Sequence, residues 1–213
     1  MPYSARRGVI RGGGSRSLIL RIVRGRLLPG RQADVRAGLA TSLSEIQSLG
    51  EALQVYAALR SAGEENTFAV ISTWPSVEAV VAAFGPDARR IALVPGVTEH
   101  LEVDSVTHFE LDESMLVQTD RAATVARVAV GAVELGSDVE IQQELRRRLP
   151  GLGQEVVEAY VGRRIRDRMV EVAFVTLWSM WPADRPLEAP LFPDVADRYS
   201  SYWIEVYDEL FRP

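Results

Sequence analysis

Histidine is the residue type in this chain best suited to move a proton near neutral pH, and the chain has two of them. His108 lies in an alternating apolar stretch, where it could act as a general base or be an ordinary strand residue. His100 directly precedes that stretch. Asp104 and Ser105 complete, with His108, the residue types of a hydrolytic triad. Within one strand, however, Ser105 points away from the other two side chains, and no nucleophile-elbow motif is present, so we reject a triad.

The absence of two residue types excludes several reactions. All 24 basic residues are arginine, and a chain without lysine cannot form a Schiff base or a phosphate-loop lysine contact. The chain also lacks cysteine, which excludes thiolate nucleophiles, cysteine-held zinc, iron–sulfur clusters and disulfides. Carboxylate pairs such as Glu64 and Glu65 lack the spacing of metal ligands. We therefore predict no metal site.

The sequence from Asn66 to Gly85 is the clearest structural unit in the chain. An apolar stretch ends at Trp74, Pro75 interrupts it, and Ser76 is placed to cap a following helix. Valine and phenylalanine side chains then recur on one helical face until the glycine ends the helix. This unit predicts a strand, a tight turn and a helix around the tryptophan.

The residues on either side of this unit predict the order strand, helix, strand, strand, helix, strand. Alternating or β-branched apolar stretches indicate the strands, and a helical apolar period that Gly50 ends indicates the first helix. The predicted strands are residues 17–28, 53–59, 67–73 and 101–111. This order is the split β-α-β pattern of a ferredoxin-like α+β unit.

The pattern then restarts, which indicates an internal duplication. Residues 127–131 (RVAVG) echo residues 21–25 (RIVRG) at an offset of 106, and residues 157–160 and 172–178 echo residues 53–56 and 68–74 at an offset of 104. A nearly constant offset across several strands is typical of repeats. The copies diverge after Trp178, where four prolines exclude the helix that the first copy has.

Two such units predict the overall architecture. Each unit covers one sheet face with helices, and its third strand is apolar on both faces, as burial on both sides requires. We therefore predict an α+β fold in which tandem ferredoxin-like repeats form an intrachain dimeric α+β barrel. The predicted boundaries are a flexible N-terminal arm (1–16), a first unit (17–111), a linker (112–121) and a second, degenerate unit (122–213).

Composition limits the expected partners and location. The net charge of −5 argues against nucleic-acid binding, because phosphate contacts depend on clustered positive charge. The sequence has no run of 18 apolar residues and no secretory leader, which predicts a cytoplasmic protein without a membrane contact. We expect a monomer, with the pseudo-dimer formed inside one chain, or a homodimer.

The chain after residue 17 resembles the antibiotic biosynthesis monooxygenase-like proteins of the dimeric α+β barrel superfamily, with two units fused in tandem. The resemblance rests on a tryptophan that ends a strand, the helix after it, and a phenylalanine–glycine pair at the end of that helix. The residues that carry it are Trp74, Ser76, Ala79, Phe84, Gly85, Asp87 and Arg89. The second half retains only Trp178 from this set.

The resemblance implies a cofactor-independent monooxygenase that acts on a small aromatic or polyketide-like molecule. Family enzymes of the quinone-forming type use neither metal nor flavin, because a deprotonated phenol can itself reduce dioxygen once the protein has bound and oriented it. The implied pocket is centred on Trp74 and walled by Phe84, with Trp178 as the counterpart in the second half. Val70 and Val80 line it, at the positions where those enzymes carry an assisting asparagine and tyrosine.

The candidate catalytic residues are His108, Tyr56 and Arg89, the last as a replacement for the assisting arginine of the resembling enzymes. A branch of the family binds haem through a histidine after the second helix, and the corresponding stretch here has none. Two alternatives stay open. The tryptophans could be core anchors that close the ends of the sheet. The whole protein could also be a non-catalytic small-molecule-binding or structural barrel, which Val70 and Val80 favour.

Overall fold

The computed structural model describes residues 18–48, 51–60, 66–87, 96–115, 121–183, 185–186 and 188–213, with the backbone alone at 112–115. The predicted N-terminal arm (1–16) lies outside the described residues. None of the helices in these ranges has the length and apolar composition needed to cross a membrane.

The first half has the predicted order of strand, helix, strand, strand, helix, strand. Its elements are β1 (Leu18–Leu27), α1 (Gln32–Ser48), β2 (Gln54–Leu59), β3 (Thr67–Trp74), α2 (Val77–Phe84) and β4 (Leu101–Met115). A turn of 3-10 helix, Thr98–His100, leads into β4. β4 continues four residues past the predicted end, because its backbone pairs with a strand of the second half as far as Met115.

The second half repeats this order until its last strand, which is divided in two. Its elements are β5 (Val125–Glu134), α3 (Asp138–Arg148), β6 (Val156–Arg166), β7 (Met169–Trp178), α4 (Pro193–Ala196), β8 (Ser201–Tyr207) and β9 (Glu209–Phe211). A 3-10 turn, Leu149–Leu152, follows α3. Between β7 and β8 the only described helix is α4, which has four residues, as the prolines predict. Asp208 separates β8 from β9.

The nine described strands form one antiparallel sheet in the order β8-β5-β7-β6-β4-β1-β3-β2-β9. β8 and β9 lie at opposite ends of this order, yet only Asp208 separates them in the chain. The two ends of the sheet are therefore adjacent in space, and the sheet closes into a barrel. The halves meet at two seams, where β4 pairs with β6 and β9 pairs with β2.

The capping residues of α2 fix where this helix begins and ends. Ser76 Oγ accepts a hydrogen bond from the Ala79 N–H at 3.3 Å. Gly85 has a φ of 82°, a conformation that favours glycine, and its N–H donates to the Val81 carbonyl at 2.8 Å. Phe84, in the last turn, is thereby held against the sheet, where its side chain is buried.

Three apolar clusters form the core. One lies between α1, α2 and the sheet, one fills the interior of the barrel, and one lies between α3, α4 and the sheet. Side chains of β1 alternate between two of these clusters. Ile19 and Val23 face the helices, whereas Leu20 and Ile22 face the barrel interior. The sheet thus separates the helix-facing side of each half from the interior of the barrel.

Candidate functional site

Trp74 lies at the end of β3 on the helix-facing side of the first half. Its side chain is fully buried, and its Nε1–H donates a hydrogen bond to Ser72 Oγ at 2.9 Å. Phe84 meets the indole ring edge-to-face, with ring centroids 5.3 Å apart and an interplanar angle of 71°. Val70 and Val80 belong to the same cluster and are buried as well. The structure therefore brings together four of the predicted substrate-binding residues.

Arg21 is a buried cation next to this aromatic pair. Its guanidinium carbon lies 4.1 Å from the centre of the Phe84 ring, which is a cation–π contact. The register of β1 places it between Ser72 on β3 and His108 on β4, all on the helix-facing side. Burial lowers the pKa of Arg21 to about 10, so the side chain stays charged at neutral pH.

His108 faces the same side of the sheet as Arg21, its cross-strand partner. Its Nε2 atom is buried and has no hydrogen-bond partner among the residues that the structure describes. Burial, and after it the positive charges of Arg21 and Arg164, lower the pKa of His108 to about 4. The imidazole is therefore neutral near pH 7, which is the protonation state that a general base requires.

His108 is expected to make the protein less stable in mild acid. Its pKa is about 4 in the folded chain and 6.5 ordinarily, so the unfolded state binds more protons between these values, and stability falls as the pH drops from 6.5 toward 4. His108→Gln should remove this part of the fall, with His100→Gln as the control. Urea unfolding at several pH values from 7 to 4 measures the slopes; identical slopes for the wild type and His108→Gln would contradict the prediction.

Tyr56 lies on the other face of the sheet, at the barrel interior. Its hydroxyl donates to Glu158 Oε1 at 2.8 Å, and the Tyr160 hydroxyl contacts the other oxygen of Glu158 and Gln54 Oε1. Burial, then the charge of Glu158, raises the pKa of Tyr56. In the repeat, Gln54 and Tyr56 of the first half correspond to Glu158 and Tyr160 of the second half, and these hydrogen bonds join the two halves. The structure thus places Tyr56 apart from Trp74, with the sheet between them.

A further predicted substrate-binding residue, Trp178, lies in the second half, apart from the group around Trp74. Trp178 occupies the equivalent place in the second half, where it is fully buried, donates to Thr176 Oγ1 at 2.8 Å and meets Trp181 edge-to-face at 4.9 Å. Arg89 lies outside the described residues, so its assignment stays a prediction. Trp178 and Trp74 thus have the same environment: each indole N–H donates to a hydroxyl two residues earlier, and each ring meets another aromatic ring edge-to-face.

Arg127 is the counterpart of Arg21 in the second half, and the sequence analysis did not single it out. Its side chain is fully buried, and Nη2 donates to the Ala189 carbonyl at 3.1 Å. Nε and Nη1 have no hydrogen-bond partner within the described part of the chain. Burial is the largest of the causes that lower its pKa. The available signal was an arginine in the middle of an apolar strand, at the same repeat position as Arg21.

A recess lies on the helix-facing side of the second half, under α4. Four aromatic side chains line it, Phe174, Phe192, Tyr199 and Tyr202, together with aliphatic residues of α3, α4 and β5. Its empty volume is about 270 Å³ including space open to solvent, and the enclosed part is about the size of one water molecule. The pocket predicted around Trp74 stays a prediction, since this recess belongs to the other half.

No metal centre is evident in the described ranges, where no three side chains of histidine, aspartate or glutamate come together as ligands. The polar side chains on the helix-facing sides include Arg21, with His108 beside it, in the first half and Arg127 in the second.

Comparison with solved structures identifies the fold. No protein-family sequence model matches the chain, and no curated protein is similar to it in sequence. A candidate monooxygenase from Lactobacillus acidophilus NCFM superposes with a TM-score of 0.59 at 13% identity, over 92% of this chain and 96% of that one. A candidate monooxygenase from Fusobacterium nucleatum subsp. nucleatum gives 0.60 at 10% identity, over 94% and 99%. An anthrone oxidase-like protein gives 0.55 at 11% identity, over 92% and 93%.

These three solved structures are 10–13% identical to this chain. At such low identity the similarity concerns the fold alone, and it agrees with the closed antiparallel sheet and the helices outside it. The chain therefore shares with these structures an α+β fold built on one large antiparallel sheet.

Proposed function

We propose that this protein is a cofactor-independent monooxygenase of the antibiotic biosynthesis type, which oxidises a phenolic aromatic or polyketide-like small molecule. The observation that carries the proposal is the pairing of His108 with Arg21 across β1 and β4, beside the Trp74–Phe84 ring pair. The names of the similar structures, two candidate monooxygenases and an anthrone oxidase-like protein, agree with the proposal.

The two polar side chains can divide the work of removing a phenolic proton. Neutral His108 offers its Nε2 atom to the hydroxyl, and a proton transferred there leaves a phenolate. Arg21 then stabilises that phenolate by its positive charge, in surroundings where burial strengthens the attraction. Trp74 and Phe84 contribute ring faces and edges to hold a planar substrate, and one of the two rings must turn aside to admit it.

The oxidation needs no electrons beyond those of the substrate. In an anthrone, the methylene carbon loses two C–H bonds and gains a C=O bond, which is a four-electron oxidation. One atom of dioxygen becomes the carbonyl oxygen and the other leaves as water, so dioxygen takes up the four electrons. The protein binds, orients and deprotonates the substrate in this scheme, and supplies no redox group.

Oxygen uptake with a panel of anthrones and naphthols tests this proposal. We expect turnover by the wild type above the background rate, and a decrease of about 100-fold for His108→Gln, because a positioned base typically contributes that much. His100→Gln, which also removes one histidine, is the control and should keep the wild-type rate. The proposal fails if the wild type consumes no oxygen above background, or if His108→Gln is as fast as the wild type.

A specific observation favours a second candidate, a non-catalytic small-molecule-binding or structural barrel. Val70 and Val80 stand where the resembling enzymes carry an assisting asparagine and tyrosine, and both valine side chains are buried in the apolar cluster. Under this alternative the oxygen uptake assay gives background rates, while native mass spectrometry still detects an aromatic ligand or finds none. The assay thus separates the two candidates directly.

The tandem arrangement of two ferredoxin-like units is part of the proposal. It is supported by the two offsets in the sequence, by the recurring element order, and by the two seams of the sheet. β4 of the first half pairs with the second strand of the other half, and β9 pairs with the second strand of the first half. Two identical subunits would make such reciprocal contacts in a dimer, so we propose that one chain supplies both halves of the barrel.

A further inference from the structure

We infer that the second half contains a binding site for the carboxylate group of an aromatic acid, formed by Arg127 and Arg185 beside the aromatic recess. This site lies on the other half from His108, and it does not depend on the proposed oxygenation. Nothing in the resemblance or in the similar structures assigns it. Three observations lead to it: unpartnered cationic donors, the absence of a described counter-ion, and a ring-lined recess next to them.

The first observation is the set of donors without acceptors. Arg127 is fully buried with Nε and Nη1 unpartnered, and Arg185 has a buried Nη1 that is also unpartnered in the part of the chain that the structure describes. An unsatisfied donor in the interior costs about 1–3 kcal/mol, and more when it is charged. Buried guanidinium groups are ordinarily paired. The three unpartnered nitrogen atoms on these two arginines are therefore donors that can bind an anion.

The second observation is the local excess of positive charge. Burial is the main cause that lowers the pKa of Arg127; contact with Tyr202 raises it, and the positive charge of Arg185 makes a smaller contribution that lowers it. Among the described residues neither arginine forms an ion pair, whereas most other arginines of this half do, for example Arg148 with Glu144 and Asp194. An anion bound by both guanidinium groups would offset the repulsion between their charges.

The third observation is the position of the recess. Ala129 lines it and lies two residues after Arg127 on β5, so both side chains are on the helix-facing side. Tyr202 also lines it and is close enough to interact with the Arg127 guanidinium. The other ring walls come from the pairs Phe174–Phe192 and Tyr199–Tyr202, whose centroids are 6.0 Å and 5.3 Å apart. Tyr202 therefore lies between the two parts of the proposed site, the Arg127 guanidinium and the aromatic recess.

The chemistry of the donors selects the ligand class. Guanidinium groups bind carboxylates through pairs of parallel hydrogen bonds, and the neighbouring rings favour a flat apolar body. An inorganic phosphate would leave the rings without a partner. An aromatic monocarboxylate meets both requirements.

Isothermal titration calorimetry with 2-naphthoate tests the inference on the full chain. We expect saturable binding by the wild type, and no binding of 2-naphthamide, which has the same rings without the charge. Arg127→Met and Arg185→Gln should each raise the Kd for 2-naphthoate at least about tenfold, as the loss of a charged hydrogen bond does. Arg147→Gln is the control, because it removes an exposed arginine that pairs with Glu144 on α3.

Thermal unfolding without ligand supplies a second readout. Because Arg127 is buried without an ion pair in the described structure, Arg127→Met should unfold at the same temperature as the wild type or higher, while 2-naphthoate should raise the unfolding temperature of the wild type alone. If Arg127→Met does not fold, Arg185→Gln decides by its Kd. Absence of saturable binding by the wild type, equal affinity for the amide, or unchanged affinity in both variants would each overturn the inference.

Discussion

Replacing Trp74 with alanine is expected to lower the free energy of unfolding by about 3–5 kcal/mol, the usual loss for a fully buried tryptophan. The variant removes the largest side chain from the cluster under α2, together with its edge-to-face contact with Phe84. It also leaves Ser72 Oγ without the Nε1–H donor that it now accepts from. The cavity is enclosed on both sides by the sheet and α2, so the surroundings cannot easily collapse into it.

The matched control for this variant is Trp181→Ala. Trp181 also meets a tryptophan edge-to-face, but it is only partly buried, and its Nε1–H donates to a backbone carbonyl. Its removal should therefore have a clearly smaller effect. Urea unfolding followed by far-ultraviolet circular dichroism compares the two without relying on tryptophan fluorescence. An equal loss in both variants would show that Trp74 is not the anchor of the first half.

Substituting Gly25 with alanine is expected to destabilise the protein by about 3 kcal/mol or more, at the upper end of what overpacking causes. A Cβ atom at this position would lie 2.0 Å from the carbonyl oxygen of Glu102 and 2.7 Å from Cε1 of Phe68. The oxygen belongs to the backbone of β4, so it cannot rotate away. The register of β1 against β4 shifts at this same place, between Arg24 and Gly25, which indicates that the close approach is built into the pairing.

Alanine substitutions at two other glycines serve as comparisons for the loss of stability in Gly25→Ala. At Gly151 an added Cβ meets nothing within 4 Å, so Gly151→Ala should be close to neutral. At Gly131, which corresponds to Gly25 in the repeat, the Cβ would meet the ring of Tyr199 at 2.2 Å. A side chain can move where a backbone cannot, so the loss should be intermediate. Urea unfolding midpoints of the three variants give the order, and a neutral Gly25→Ala would refute the close approach.

Local signals in the sequence were sufficient to predict the elements. Ser76 and Gly85 mark the ends of α2 because the capping interactions are made within a few residues of the cap. The prolines after Trp178 predicted the lack of a long helix for an equally local reason. The α+β class and the order of elements in each half followed from these signals and from apolar periodicity.

Features that depend on distant partners could not be predicted in the same way. The polar residues after Leu111 resemble a linker, yet the backbone of β4 continues as a strand because β6 is there to pair with it. Asp208 divides the last strand because β9 has to reach β2 on the other half. In both cases the deciding hydrogen bonds join residues from different halves, and the local sequence carries little trace of them.

The candidate sites show the same limit. Arginine is normally exposed, so neither Arg21 nor Arg127 was identified as a buried cation, although the repeat aligned them. Tyr56 alternates with its neighbours as a strand residue should, but which face of that strand would be enclosed depends on how the two halves pack. Once the barrel closes, Tyr56 faces the interior, where Glu158 of the other half accepts its hydroxyl hydrogen bond.

The position of β9 has a consequence for synthesis on the ribosome. The seam between β9 and β2 is made by residues 209–211, opposite residues 57–59 that were translated about 150 residues earlier. Until Phe211 leaves the exit tunnel, β2 presents a bare edge, and such an edge can pair with other chains. Throughout the synthesis of the second half, the nascent protein therefore has an unpaired edge at β2, which a chaperone could cover.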